Sequence, residues 1–148
     1  MTITADRTAP STKRPRVARW ARQAFGWLFV LGSMSHVVFA LAFTEIYRDF
    51  AAWSPFGWVR DAWASVFMPS ATAFALLLAA FEATVGALIL AGGKRMQLGL
   101  VGAIGFHFGL MLFGLWPWSV PMIASFLALL VSDRRREGDS DDHVRGPT

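Results

Sequence analysis

From residue 70 to residue 92 every side chain is apolar, small or hydroxylated except one, Glu82. About 20 such residues in a helix cover the ~30 Å hydrocarbon core of a bilayer. Within that core only a helix or a closed barrel satisfies every backbone N–H and C=O. This stretch constrains the fold more than any motif does. It predicts a membrane-spanning helix with a carboxylic acid near mid-depth that needs an explanation.

The rest of the chain repeats the pattern. Apolar runs over 23–44 and 96–116 predict two further spans, and a shorter run over 118–132 predicts a fourth. That fourth span is the marginal one at about 15 residues. Pro121 is expected in its first turn, where proline is tolerated, and Asp133 with Arg134, Arg135 and Arg136 ends it. Composition agrees, since 55% of the 148 residues are hydrophobic and only 16% are charged. The predicted fold class is all-α, an integral membrane four-helix bundle. Its terminal segments, 1–22 and 133–148, are polar and basic or mixed in charge, and are expected to be disordered. With no Cys there is no disulfide framework, no thiolate metal site and no cysteine nucleophile.

The net charge of +4 resembles a nucleic-acid signature only until the charges are located. Arg7, Lys13, Arg14, Arg16, Arg19 and Arg22 precede the first span, Lys94 and Arg95 fill the turn between the second and third, and Arg134, Arg135, Arg136 and Arg145 follow the fourth. Only Arg48 and Arg60 fall on the other side. This asymmetry predicts both termini in the cytoplasm, and no nucleic-acid partner. A basic head, an apolar run and Ala40-Leu41-Ala42 also have the form of a secretory signal, but the run exceeds the ~7–15 residues of a signal core.

The loop over 45–69 is the only long connection. Ser54-Pro55 reads as a helix N-cap followed by its first residue. Phe56, Val59, Trp63, Val66 and Phe67 then recur at helical spacing with Arg60 and Asp61 to one side, which predicts a short amphipathic helix on the outer membrane surface. Trp53, Trp58, Trp63, Trp116 and Trp118 would form an outer aromatic belt and Trp20 and Trp27 an inner one. The alternative use for the outer aromatics is a lid over a lipid-soluble ligand.

Besides Glu82, the predicted spans contain two ionisable residues, His36 and His107. His36 lies 14 residues beyond Arg22, Glu82 12 before Lys94, and His107 12 beyond Arg95. At ~1.5 Å per residue all three sit about 18–21 Å deep. Small residues flank each one. Ala71, Ala75, Ala79, Ala83, Ala87 and Ala91 recur every four positions beside Glu82, with Gly86 one turn on; His107 continues Gly99 and Ala103; His36 lies between Gly32 and Ala40. Such ridges let helix backbones approach. The expectation is a buried polar layer of His36, Glu82 and His107 that binds a ligand, shares protons or fixes helix register. Gly32, Ala79, Ala83, Gly86, Gly99 and Ala103 would be its packing contacts.

Two sharper chemistries fit the residue types of this layer. Two histidines at one depth could ligate haem, with Gly32, Gly105 and Gly109 making room, but Glu82 in the same layer argues against it. Two histidines and one carboxylate formally match an iron triad, but no His-x-Asp/Glu spacing or acidic support accompanies them, so no metal is expected. His143 beside Asp141 and Asp142 could touch a metal, although a solvated tail explains it better. Phosphate loops, G-x-S-x-G and H-E-x-x-H are all missing. Gly92-Gly93-Lys94-Arg95 reads as a tight turn between antiparallel spans.

The run FEATVGALILAGGKRMQLGLVGAIGFHFGL, with Glu82, Gly86, a small-and-basic turn and a Gly-rich span, resembles the core of the DoxX-like family of four-helix bacterial membrane proteins. GSMSH, from Gly32 to His36, is similar to that family's first helix, though a Lys often stands where His36 does. The resemblance implies a compact bundle in the cytoplasmic membrane, associated with quinone-linked oxidation of sulfur compounds or with oxidoreductase complexes. Two functions follow as expectations. One is an accessory or quinone-interacting subunit of a membrane redox complex, in which Glu82 and His107 hydrogen-bond a quinone carbonyl or pass its proton. The other is a stand-alone proton-coupled transporter or a structural scaffold without catalysis. The lipid bilayer is the first partner, and small-residue faces also allow a homodimer.

Overall fold

The computed structural model describes residues 13–144, with side chains over 16–135. These residues form an all-helical protein with the helices α1 Lys13–Ala42, α2 Gly57–Ala62, α3 Ala71–Ala91, α4 Gly93–Met111 and α5 Trp116–Val144. Three helical paths, Arg16–Ala42, Gly57–Ala91 and Trp116–Arg135, are long and apolar enough to cross a membrane. The span expected to be marginal is thus one of the three, because α5 starts at Trp116 and continues well past Ser132. Pro121 consequently falls in its second turn rather than its first. The helix that falls short of that measure is α4, whose first turns carry Lys94, Arg95 and Gln97 and which ends at Met111 rather than 116.

Both terminal boundaries depart from expectation. The helix of α1 begins at Lys13, not near 23, since Ala, Arg and Gln favour helix and Pro15 sits in a first turn where its missing N–H costs nothing. Likewise α5 extends through the segment 133–144, because adding residues to an existing helix is far easier than nucleating one. The side chain of His143, along with those of Asp141 and Asp142, lies outside the described residues.

Consecutive helices pack antiparallel: α1 along α3, α3 against α4, and α4 against α5. The core is Phe29, Val85, Ile89, Met96, Leu100, Ala103, Phe126, Leu129 and Leu130. Phe25 meets the Phe126 ring edge-on at 4.8 Å. The closest crossing is α1 on α3, where a Cβ on Gly86 would stand 2.8 Å from the Gly26 carbonyl oxygen and 2.9 Å from Val30. On α4, a Cβ on Gly99 would stand 2.9 Å from Ile89. The turn between α3 and α4 uses Gly92 and Gly93 at φ 77° and 57°, the left-handed region that favours glycine.

The alanine ridge is used only in part. Ala71, Ala75 and Ala79 are buried, but Ala83, Ala87 and Ala91 are exposed, which corrects the expectation that Ala83 is a packing contact. A spacing of four drifts off a face of period 3.6, so the buried stripe switches to Glu82, Val85, Gly86 and Ile89.

The outer connection is not a separate surface helix. After the short turns Thr44–Tyr47 and Phe50–Trp53, α2 runs through a π turn, Trp63–Phe67, and a tight turn, Met68–Ser70, directly into α3. Ser54 does not cap it. Phe56 stands at the N-cap position, and the Ser54 hydroxyl donates to the Leu112 carbonyl at 2.6 Å, tying this segment to the α4–α5 turn. Val59 is buried and Trp63 and Phe67 are half-buried, whereas Phe56 and Val66 are exposed.

Candidate functional site

Glu82 is buried at 6% exposure between α3 and α1, and α1 makes room for it with Gly32. A Cβ on Gly32 would stand 3.0 Å from Glu82 Oε2. One turn further along α1, His36 Nε2 lies 3.8 Å from Glu82 Oε1. That is ion-pair distance but longer than a hydrogen bond, so direct proton exchange needs the carboxyl to swing by ~1 Å. Glu82 Oε2 is buried without a hydrogen-bond partner. An unpartnered carboxyl oxygen inside an apolar bundle is costly.

The other nitrogen of His36 has a partner that the sequence reading missed. His36 Nδ1 is 2.7 Å from the hydroxyl of Tyr47, and the two rings stack at 14° with centroids 5.8 Å apart. The direction of this bond follows the His36 tautomer: with the ring proton on Nε2, facing Glu82, the phenol O–H donates to Nδ1, and with the proton on Nδ1 the phenol oxygen accepts it. Tyr47 is itself buried, and burial together with nearby Glu82 pushes its hydroxyl above the ordinary phenol value of 10.0. The signal available beforehand was chemical: this is the only tyrosine in a chain with thirteen phenylalanines.

Tyr47 is held from outside by an aromatic cover. The Trp63 indole donates to the Tyr47 carbonyl at 2.8 Å and stacks on Phe67 at 3.7 Å, while Phe67 meets the Tyr47 ring edge-on at 5.6 Å. A π turn widens the helix by one residue per turn, and here it places Trp63 and Phe67 side by side over the phenol. Trp63 therefore leaves the outer belt to which it was assigned. The six other tryptophans, Trp20, Trp27, Trp53, Trp58, Trp116 and Trp118, are all exposed.

His107 lies in a different environment from Glu82 and His36. It is 3% exposed, with its ring in a cage of Phe29, Phe106 and Phe126 at 5.2 to 6.2 Å. Its Nδ1 donates to the Ala103 carbonyl at 2.9 Å, one turn back on α4. Among the described residues no hydrogen bond or ion pair joins it to Glu82 or His36. The expected three-residue layer is thus a pair, Glu82 with His36, extended by Tyr47, plus a separate caged histidine. Of the packing contacts, Ala79, Gly86, Gly99 and Ala103 are buried and Gly32 abuts the carboxylate. Among the described residues no group of three His, Cys, Asp or Glu side chains converges as a metal site would require.

No protein-family model, curated protein or solved structure matches the chain.

Proposed function

We propose that the protein is a four-span membrane protein that moves protons across the bilayer, with the Glu82, His36 and Tyr47 side chains carrying the proton between the middle of the membrane and its outer face. The observation behind this is the continuity of the three groups: carboxyl to imidazole at 3.8 Å and imidazole to phenol at 2.7 Å, with one carboxyl oxygen unpartnered. A histidine between two other ionisable groups accepts on one nitrogen and donates from the other, so a proton crosses it by tautomer exchange. Intramembrane carboxylates and histidines mark such relays because their burial is otherwise unfavourable. The caged His107 stands apart from this path.

In this reading the basic segments face the cytoplasm of a bacterial inner membrane. Arg22 lies over Gly92, and Gln97 donates to Asp133 at 3.2 Å, which gathers the start of α1, the α3–α4 turn and the end of α5 at one end of the bundle. The relay serves proton-coupled transport. The DoxX-like resemblance points instead to a quinone-interacting subunit, but a quinone carbonyl held jointly by Glu82 and His107 draws no support from residues that face different neighbours.

Liposomes reconstituted with the protein and loaded with a pH-reporting dye test the proposal. Wild type and His107→Phe should dissipate an imposed pH gradient, whereas Glu82→Gln and His36→Phe should not. Equal rates for wild type and Glu82→Gln would contradict it. A quinone that copurifies with wild type and is lost from Glu82→Ala would favour the redox subunit.

A further inference from the structure

At the basic end of the bundle α1 and α5 do not close on each other. Small residues line both walls of this seam, Ala18 and Ala21 on α1 and Ser125, Ala128 and Ser132 on α5, among larger ones such as Val17 and Leu129. They leave a groove of about 990 Å³ that continues past Phe25, Leu127 and Val131 towards the middle of the membrane. Its volume is that of a ligand site rather than a packing defect. The groove adjoins a second, smaller cavity of about 320 Å³, which shares Ala18, Leu129 and Ser132 with it and adds Arg19, Arg22 and Asp133.

The charges at that end are unbalanced. Asp133 accepts a hydrogen bond from Gln97 at 3.2 Å, and among the described residues no carboxylate comes within ion-pair distance of Arg19, Arg22 or Arg135. The Nε of Arg22 is buried with no hydrogen-bond partner. A guanidinium with donors to spare binds a phosphate through paired N–H groups. An apolar groove that adjoins a cavity lined by two arginines offers seats for the two parts of one molecule.

We propose that this seam is a binding site for one anionic phospholipid, with its phosphate on Arg19 and Arg22 and an acyl chain along Ala21, Phe25, Leu127 and Val131. The site is independent of the proton relay. A neutral lipid offers the same tail, so preference must come from the net charge at the arginines; each arginine near an anionic group contributes severalfold, and two contribute about tenfold or more.

Native mass spectrometry of the full chain, with equal amounts of phosphatidylglycerol and phosphatidylcholine of the same acyl chains, reads this preference directly. Wild type should retain phosphatidylglycerol over phosphatidylcholine by about tenfold. Arg19→Gln with Arg22→Gln should abolish the preference, and Ala128→Trp, which fills the groove, should remove both adducts. Because Arg22 also lies over the Gly92 turn, Arg19→Gln alone is measured as well and should reduce the preference severalfold. Equal retention of the two lipids by wild type would overturn the proposal, as would a preference that survives Arg19→Gln unchanged. Retention unaffected by Ala128→Trp, or displacement of the lipid by inorganic phosphate alone, would overturn the tail seat and leave a simple anion site.

Discussion

The two long seams of α1 differ sharply. Along α3 it is closed, with backbones so near that Gly86 and Gly26 leave no room for a side chain. Along α5 it is open, with small residues on both walls of a groove. Small residues alone therefore do not decide whether two membrane helices touch. At the closed seam the glycines oppose backbone or a branched side chain, as Gly86 opposes the Gly26 carbonyl and Val30, so each gap is filled. At the open seam, beyond the Phe25–Phe126 contact, alanines and serines line both helices among larger apolar side chains and leave a groove. Closure is also what buries Glu82.

The comparison can be broken most forcefully at Gly86. Gly86→Val should destabilise the protein by about 3 kcal/mol, the upper end for overpacking, because the clash involves backbone that cannot yield; a thermal-unfolding midpoint in detergent measures it. Next comes Tyr47→Phe, which removes the hydrogen bond to His36 Nδ1 and should cost about 1 kcal/mol by the same assay while leaving the helices intact.

A smaller effect concerns pH. Burial holds the Tyr47 phenol above 10.0, so its contribution to stability is complete below that value and is lost as pH rises through the higher folded-state value. Tyrosinate absorbance follows this titration without interference from any second tyrosine. Glu82→Gln should move the titration part of the way back, since burial is the larger cause and the Glu82 charge the lesser one. The smallest change is expected at the open seam, where Ala128→Trp should alter the unfolding midpoint by an amount equivalent to no more than about 0.5 kcal/mol.

Much of the architecture was legible in the sequence because membrane helices announce themselves by length and polarity. Start and stop signals placed α3 within a residue of its expected bounds, and Gly92-Gly93 was readable as a turn. The approach of Glu82 and His36 was readable too, since both lay beside small residues. Three features were not. A strict spacing of four overstated the alanine ridge, because Ala83 rotates away from the face that Ala79 shares with Glu82. Depth without azimuth placed His107 in the layer, while its real partners, Ala103 and three phenylalanines, are local to its own side of α4. Tyr47 was hidden by its position in a loop: nothing in a periodicity argument folds the turn Thr44–Tyr47 back over His36.

The central claim is that Glu82 is coupled to His36 and Tyr47 and not to His107. Infrared difference spectroscopy of the carboxyl C=O band during a pH titration tests it directly, with Glu82→Gln identifying the band. The account predicts a band that shifts in Tyr47→Phe and His36→Phe and stays in place in His107→Phe. A band indifferent to Tyr47→Phe, or moved as far by His107→Phe as by His36→Phe, would contradict it.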